Sequence, residues 1–204
     1  MINRRSFILC LGASLSSASQ EAIAHRSTEP FAVDPIYLPQ RVDFPSGYAA
    51  AGTIIVDTAS RFLYLVEELG SARRYGIGVG RAGLAWAGTA EVGRKAKWPS
   101  WTPTANMIRR EPDKYARYAN GVPGGPSNPL GSRALYLYRN GQDTYYRIHG
   151  TTEPWTIGKA VSNGCIRLIN EHVEDLYERV QVGTTVVVRH GNEIVSGNDA
   201  DDRI

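Results

Sequence analysis

The dipeptide Asn140-Gly141 constrains this chain more than any other pair of residues. It sits between ALYLY (134–138) and TYYRIH (144–149), two runs rich in aromatic and apolar residues. Asn-Gly readily takes the positive φ angles of a tight hairpin turn, and such runs suit a pleated, half-buried surface. The middle of the chain therefore predicts an antiparallel strand pair. The same signature appears earlier, where residues 53–57 and 61–67 of GTIIVDTASRFLYLV are separated by turn residues and predict a second hairpin. Residues 73–79 predict a third strand of that meander. TTVVVRH (184–190) predicts a last strand, entered through Gly183. Residues 171–180 read differently. Val173, Leu176, Tyr177 and Val180 recur at helical spacing, with Asn170 placed to cap the start. Glu171, Glu174 and Asp175 suit the positive end of that helix and Arg179 its last turn. About six strands and one helix make a mainly β domain.

Two stretches lack this regularity. Residues 25–50 are polar and carry Pro30, Pro35, Pro39 and Pro45, which predicts an extended arm. Residues 80–133 are rich in Gly, Pro and Trp, with short helices predicted near 104–110 and 112–119 and little other regular structure. Trp86, Trp98 and Trp101 carry enough apolar surface to order that stretch. It reads either as the wall of a groove or as a second hydrophobic cluster.

The N-terminus bears on the compartment. Arg4-Arg5 precede a short apolar run over 7–15, and Ala22-Ile23-Ala24 has the small-x-small pattern of a cleavage site. The run is shorter than the roughly 20 residues that span a bilayer. Arg4-Arg5 followed by Ser6-Phe7-Ile8-Leu9 predicts a twin-arginine export signal, with an ordinary secretory signal as the alternative. Removing residues 1–24 takes the chain from 23 basic and 20 acidic residues to 21 and 19. So small an excess is no footprint for nucleic acid. No second apolar span follows, so no membrane span is expected after cleavage. The expected location is the periplasm or cell envelope.

Cleavage would also remove Cys10 and leave Cys165 alone. A lone cysteine in an oxidising compartment reads as a reactive thiol, an intermolecular disulfide or a buried apolar filler. Its surroundings favour the first. The thiolate is the nucleophile, and a thiol needs a base or positive charge to form it near neutrality. His149, at the end of TYYRIH, titrates in that range. The sixteen residues between them must fold back for the two to meet, and GTTEPWTIGKAVSNG has the glycines to do so. Gly164 can present an unobstructed backbone N–H as an oxyanion donor. Arg167 can stabilise a thiolate or bind a carboxylate, and Ser162 can shape the turn. Each residue alone also has a plain structural reading: a strand-end histidine, a turn glycine, a surface cation. A metal site is disfavoured, because the mature chain holds one Cys and four His with no C-x-x-C or H-x-x-x-H spacing.

HGT at 149–151 followed by SNGCIRL at 162–168 resembles the catalytic motif of the bacterial L,D-transpeptidases. GTIIVDTASRFLYLV resembles that family's first hairpin, GGPSNPLGSRALYLY its central segment, EPWTIGKAVSNGCIRLIN its core and VGTTVVV its last strand. Asn163 stands where many members carry His or Ser. The resemblance implies a mainly β, mixed sandwich or barrel-like catalytic fold with a short helix after the cysteine. It also implies Cys165 as nucleophile and His149 as base, with Gly150 supplying a carbonyl that orients the imidazole. Gly164, Ser162, Asn163 and Arg167 would shape the site. The implied substrate is the peptidoglycan stem peptide, and no cofactor or metal is implied. The acyl group would pass to another stem in a 3→3 cross-link or to a lysine of an envelope protein. Water in place of the amine would make the same site a carboxypeptidase or amidase. The expected division is an export signal over 1–24, an arm over 25–50, a catalytic domain over 51–190 and an acidic tail over 191–204.

Overall fold

The computed structural model describes residues 31–190 apart from Leu69, Gly83 and Ala85. The expected export signal, the first residues of the expected arm and the expected tail lie outside the described residues. Eleven strands are described. β1 (Gln40–Asp43), β2 (Ile54–Asp57), β3 (Phe62–Val66) and β4 (Ser71–Gly76) come first, then the two-residue β5 (Val79–Gly80) and the ten-residue β6 (Gly88–Lys97). Helices α1 (Ala105–Arg110) and α2 (Pro112–Tyr115) follow. Strands β7 (Arg133–Arg139), β8 (Gln142–His149), β9 (Ala160–Ser162) and β10 (Ile166–Arg167) lead to helix α3 (Asn170–Arg179) and to β11 (Thr185–Arg189).

Nine strands form one sheet in the order β1-β4-β3-β2-β11-β6-β7-β8-β10, and β5 pairs with β9 in a small second sheet. The sheet is not closed into a barrel. Both predicted hairpins are present. β2 and β3 pair with Ile54 opposite Leu65, and β7 and β8 turn through Asn140 and Gly141, both at positive φ. Successive residues of a strand face opposite sides, and β2 uses both. Ile54 and Val56 enter the main core with Leu63, Tyr75, Leu135, Leu137, Ile148, Leu168 and Val186. Ile55 enters a smaller cluster on the other face with Phe44, Val66 and Ala72. Helix α3 closes the main core through Val173 and Leu176. Burying each such side chain contributes about 1.5–3 kcal/mol relative to leaving it exposed.

Three expectations need correction. The 80–133 stretch contains β6, the longest strand, which pairs with both β7 and β11. Its Gly88 and Gly93 and its cations Arg94, Lys95 and Lys97 hide the period, because long cationic side chains lie over the sheet and keep their charge outward. Lys95 Nζ, for instance, donates to the carbonyls of Tyr177 and Val180 at 2.5 Å each and so satisfies the C-terminus of α3. The arm also contributes a strand, with β1 pairing antiparallel to β4. Finally, α3 begins at Asn170, whose side chain does not cap it. Among the described residues no helix is long and apolar enough to cross a membrane.

Candidate active site

Strand register brings the candidate residues together. β10 runs parallel to β8 with Ile166 opposite Ile148 and Arg167 opposite His149. Ile148 and Ile166 turn into the main core. By alternation Arg167 and His149 share the opposite face, and Cys165 and Arg147, two residues back on each chain, come out on that face too. The segment between them folds back through a 3-10 turn at Pro154–Thr156 and through β9, which pairs with β5. Leu168 N–H closes the return by donating to His149 O at 2.8 Å.

His149 is only 4% exposed. Its Nδ1 lies 2.5 Å from Gly150 O. A carbonyl can only accept, so Nδ1 carries the proton of the neutral ring and Nε2 keeps a basic lone pair. Burial, with the Arg167 and Arg147 guanidiniums, lowers the pKa to about 3, against the pull of the Gly150 and Leu130 carbonyls. The imidazole is thus neutral across the physiological range.

Cys165 is free and partly exposed. Its Sγ points to Tyr145 O at 3.9 Å. Burial pushes the thiol's pKa up, opposed by a hydrogen bond from the Arg147 backbone N–H and by the charges of Arg147 and Arg167, while Asp143 pushes it further up. Thiol and imidazole are therefore both neutral at rest, a state from which the thiol can give a proton and the imidazole accept one.

The turn before Cys165 is tightly specified. Gly164 sits at φ +118°, and a Cβ there would lie 2.7 Å from the Tyr146 ring and 2.9 Å from Leu84 O. Its N–H donates to Ser162 Oγ at 3.1 Å, and Ser162 Oγ donates to Cys165 O at 2.6 Å. Ser162 thus ties the two ends of the turn together. The Gly164 N–H, expected to be open as an oxyanion donor, is already engaged; what the glycine supplies is backbone freedom. Asn163 is the hub of a second network. Its Oδ1 accepts from Arg110 at 2.7 Å and from Arg81 at 3.4 Å, and its Nδ2 donates to Tyr115 Oη at 2.7 Å. Arg81 also pairs with Glu111. Through these bonds α1 and α2, from the irregular stretch, are tied to the cysteine turn. The tryptophans of that stretch divide: Trp86 stacks on Tyr146 against the main core, and Trp101 packs edge-on against Tyr115 and Tyr118. Arg167 donates to Glu153 at 2.7 Å and to Thr156 Oγ1 at 3.4 Å, so its charge is held beside His149.

Several contributors were invisible in the sequence. Asn170 Oδ1 accepts from Ser132 N–H at 3.1 Å and from Thr151 N–H at 3.2 Å, joining the two segments that flank His149. Glu153 holds Arg167, and Asp143 and Arg147 form a two-pronged ion pair at 2.7 and 2.8 Å. Each depends on contacts between distant segments or on a break in strand alternation, and no local spacing announces either. Among the described residues no group of three or more His, Cys, Asp or Glu side chains gathers to hold a metal ion.

Comparison with known proteins places the chain in a family. The YkuD family model, described as an L,D-transpeptidase catalytic domain, matches residues 51–188. The chain is 37% identical over 153 residues to the probable L,D-transpeptidase YbiS of Escherichia coli, covering 73% of this chain and 47% of that protein. It is 35% identical over 155 residues to the probable L,D-transpeptidase ErfK/SrfK of the same organism, covering 74% and 47%. The chain thus spans about half the length of these relatives. Among solved structures, one from Brucella melitensis, described as a probable carnitine operon oxidoreductase, is 57% identical with a TM-score of 0.53, covering 77% of this chain and 96% of that one. The Ldtfm–avibactam carbamoyl enzyme shares the fold at 19% identity and a TM-score of 0.51, covering 71% and 51%. The match spans well over half of the sequence and contains every residue of the site, and the chain belongs to the YkuD family of L,D-transpeptidases.

Proposed function

We propose that this protein is an exported transpeptidase that uses Cys165 as nucleophile on the tetrapeptide stems of peptidoglycan. The observation that supports the reading is one partly exposed thiol, in the residue just before β10, beside the end of β8 that carries a buried, neutral imidazole. His149 Nε2 takes the thiol proton as Sγ attacks the carbonyl of the L-centre of meso-diaminopimelate. The backbone N–H of Cys165 faces the developing oxyanion, since that of Gly164 is held by Ser162. The C–N bond to the terminal D-Ala then breaks, and the imidazolium returns its proton to the leaving amine. An acyl-thioester remains. An amine of a second stem, or a lysine of an envelope protein, adds to the thioester carbonyl and expels the thiolate, which recovers a proton through His149. Burial, with the charge of Arg167 that Glu153 holds in place, keeps His149 neutral at rest and so able to accept that proton.

The test is incubation of the mature protein and of Cys165→Ala with purified tetrapeptide-stem muropeptides, followed by mass spectrometry. A Cys165-dependent dimer lacking one D-Ala is expected. A Cys165-dependent tripeptide without dimer would make the protein a carboxypeptidase. An active Cys165→Ala would remove the thiol from the mechanism.

A further inference from the structure

The partner of the Cys165 thiol is the carbonyl of Tyr145, and Tyr145 is the most irregular residue near the site. Its φ is +62°, in the left-handed region that non-glycine residues avoid, and its side chain is 72% exposed. The cause lies in the pairing of β7 with β8. Tyr136 lies opposite Arg147 and Tyr138 opposite Asp143, so β8 takes four steps where β7 takes two. The surplus is gathered at Thr144–Tyr146, where the backbone bulges. A backbone held in a sparsely populated region persists only when its surroundings over-determine it, and such places cluster at functional sites.

Here the surroundings are explicit. Asp143 Oδ1 accepts the Tyr145 N–H at 2.8 Å. Arg147 clasps Asp143 with both prongs, at 2.7 and 2.8 Å, and donates to Tyr146 O at 2.9 Å. Its guanidinium lies over the Tyr136 ring at 4.3 Å. Thr144 Oγ1 donates to Leu137 O at 2.6 Å and accepts from Tyr146 N–H at 3.2 Å. Asp143 and Arg147 thus bracket the bulge and staple its two ends together. The bulge in turn aims Tyr145 O at Sγ, and Arg147, directly after it, offers its own backbone N–H to the same sulfur.

Building on the reading of Cys165 as nucleophile, we propose that Asp143 and Arg147 are positioning residues: their ion pair forces Tyr145 into its left-handed conformation, and the resulting bulge fixes where the thiol rests. The paired side chains bond to one another and to the bulge, not to the sulfur, and they act on it through the backbone.

Asp143→Asn separates this role from a purely electrostatic one. If Asp143 acted only by its charge, neutralising it would remove a group that pushes the thiol's pKa up, and Cys165 would alkylate faster. Positioning predicts the opposite. Iodoacetamide alkylation of Cys165 near pH 7, followed by intact mass, should slow about tenfold as the sulfur leaves its hydrogen-bonded rest position. Glycine needs no force to adopt φ +62°, so the same substitution in a Tyr145→Gly background should slow alkylation by less than about threefold. Arg147→Lys keeps the charge and loses the fork, should give a smaller loss in the same direction, and carries the test if Asp143→Asn does not fold. A faster or unchanged rate in Asp143→Asn, or equal losses in the two backgrounds, would overturn the proposal. Alkylation is read without any stem peptide, so that failure is distinct from failure of the transpeptidase reading, which the activity of Cys165→Ala decides.

Discussion

The two ends of the large sheet follow different rules. At the β1–β4 end the strands pair without interruption, from Ile54 opposite Leu65 through Phe62 opposite Gly76, and apolar residues fill both faces. At the β7–β8–β10 end the pairing slips twice, Tyr145 sits at positive φ within a strand and a histidine is buried. The regular end is a scaffold whose residues can be exchanged for others of like volume. At the irregular end, backbone strain and buried polar groups are held in place by particular partners. Both ends supply the main core, and the candidate site residues lie in the second.

The sharpest way to break this division is Leu63→Ala, which empties a fully buried position at the regular end. We expect a loss of about 2–5 kcal/mol in urea unfolding. The alkylation rate of Cys165 in the folded protein should be unchanged. A changed rate would mean that the two ends are mechanically coupled and the comparison does not hold. Gly164→Ala tests the other end. At φ +118° and against the Tyr146 ring it should cost about 1–3 kcal/mol and also slow Cys165 alkylation. Loss of stability without loss of reactivity would show that the turn does not place the thiol.

The buried imidazole sharpens the contrast through pH. An unfolded histidine titrates near 6.5, and His149 in the folded chain at about 3. Between those values the unfolded state holds a proton that the folded state lacks. Stability from this residue is therefore complete above about pH 6.5 and is lost as pH falls toward about 3, with a slope of up to about 1.4 kcal/mol per pH unit. His172, also lowered by burial, adds in the same direction. His149→Gln should flatten the slope without abolishing it, as read by urea melts between pH 4 and 7. An unaltered slope would mean that His149 takes up a proton in the folded state. The smallest effect is expected at the exposed Lys97–Glu178 pair, 3.8 Å apart, where Lys97→Ala should change stability by less than about 0.5 kcal/mol.

How far the sequence discloses the molecule follows the same line. The β2–β3 and β7–β8 hairpins were legible because turn chemistry and residue type agree at Asn140-Gly141 and across 53–67. The cysteine turn was legible because Gly164 and Ser162 do local work beside Cys165. Strand β6 was not, since its cations lie along the sheet and α3 and its glycines break the pattern. Asn170 looked like a helix cap because Asn favours that place, yet its oxygen serves Ser132 and Thr151, far away in sequence. The bulge at Tyr145 was hidden for a related reason: TYYRIH alternates well enough to pass for an unbroken strand, and only the register against β7 uncovers the two surplus residues.

The position of β11 has a consequence for assembly. It is the last strand in chain order among the described residues, yet it lies inside the sheet, parallel to β2 on one side and antiparallel to β6 on the other. Until it arrives, β1–β4 and β6–β10 have no shared hydrogen-bonded edge, and closing contacts across so much sequence is slow. A chain emerging from its N-terminus cannot complete the sheet early. The thiol and the imidazole would meet their full surroundings only after nearly all of the domain has been delivered.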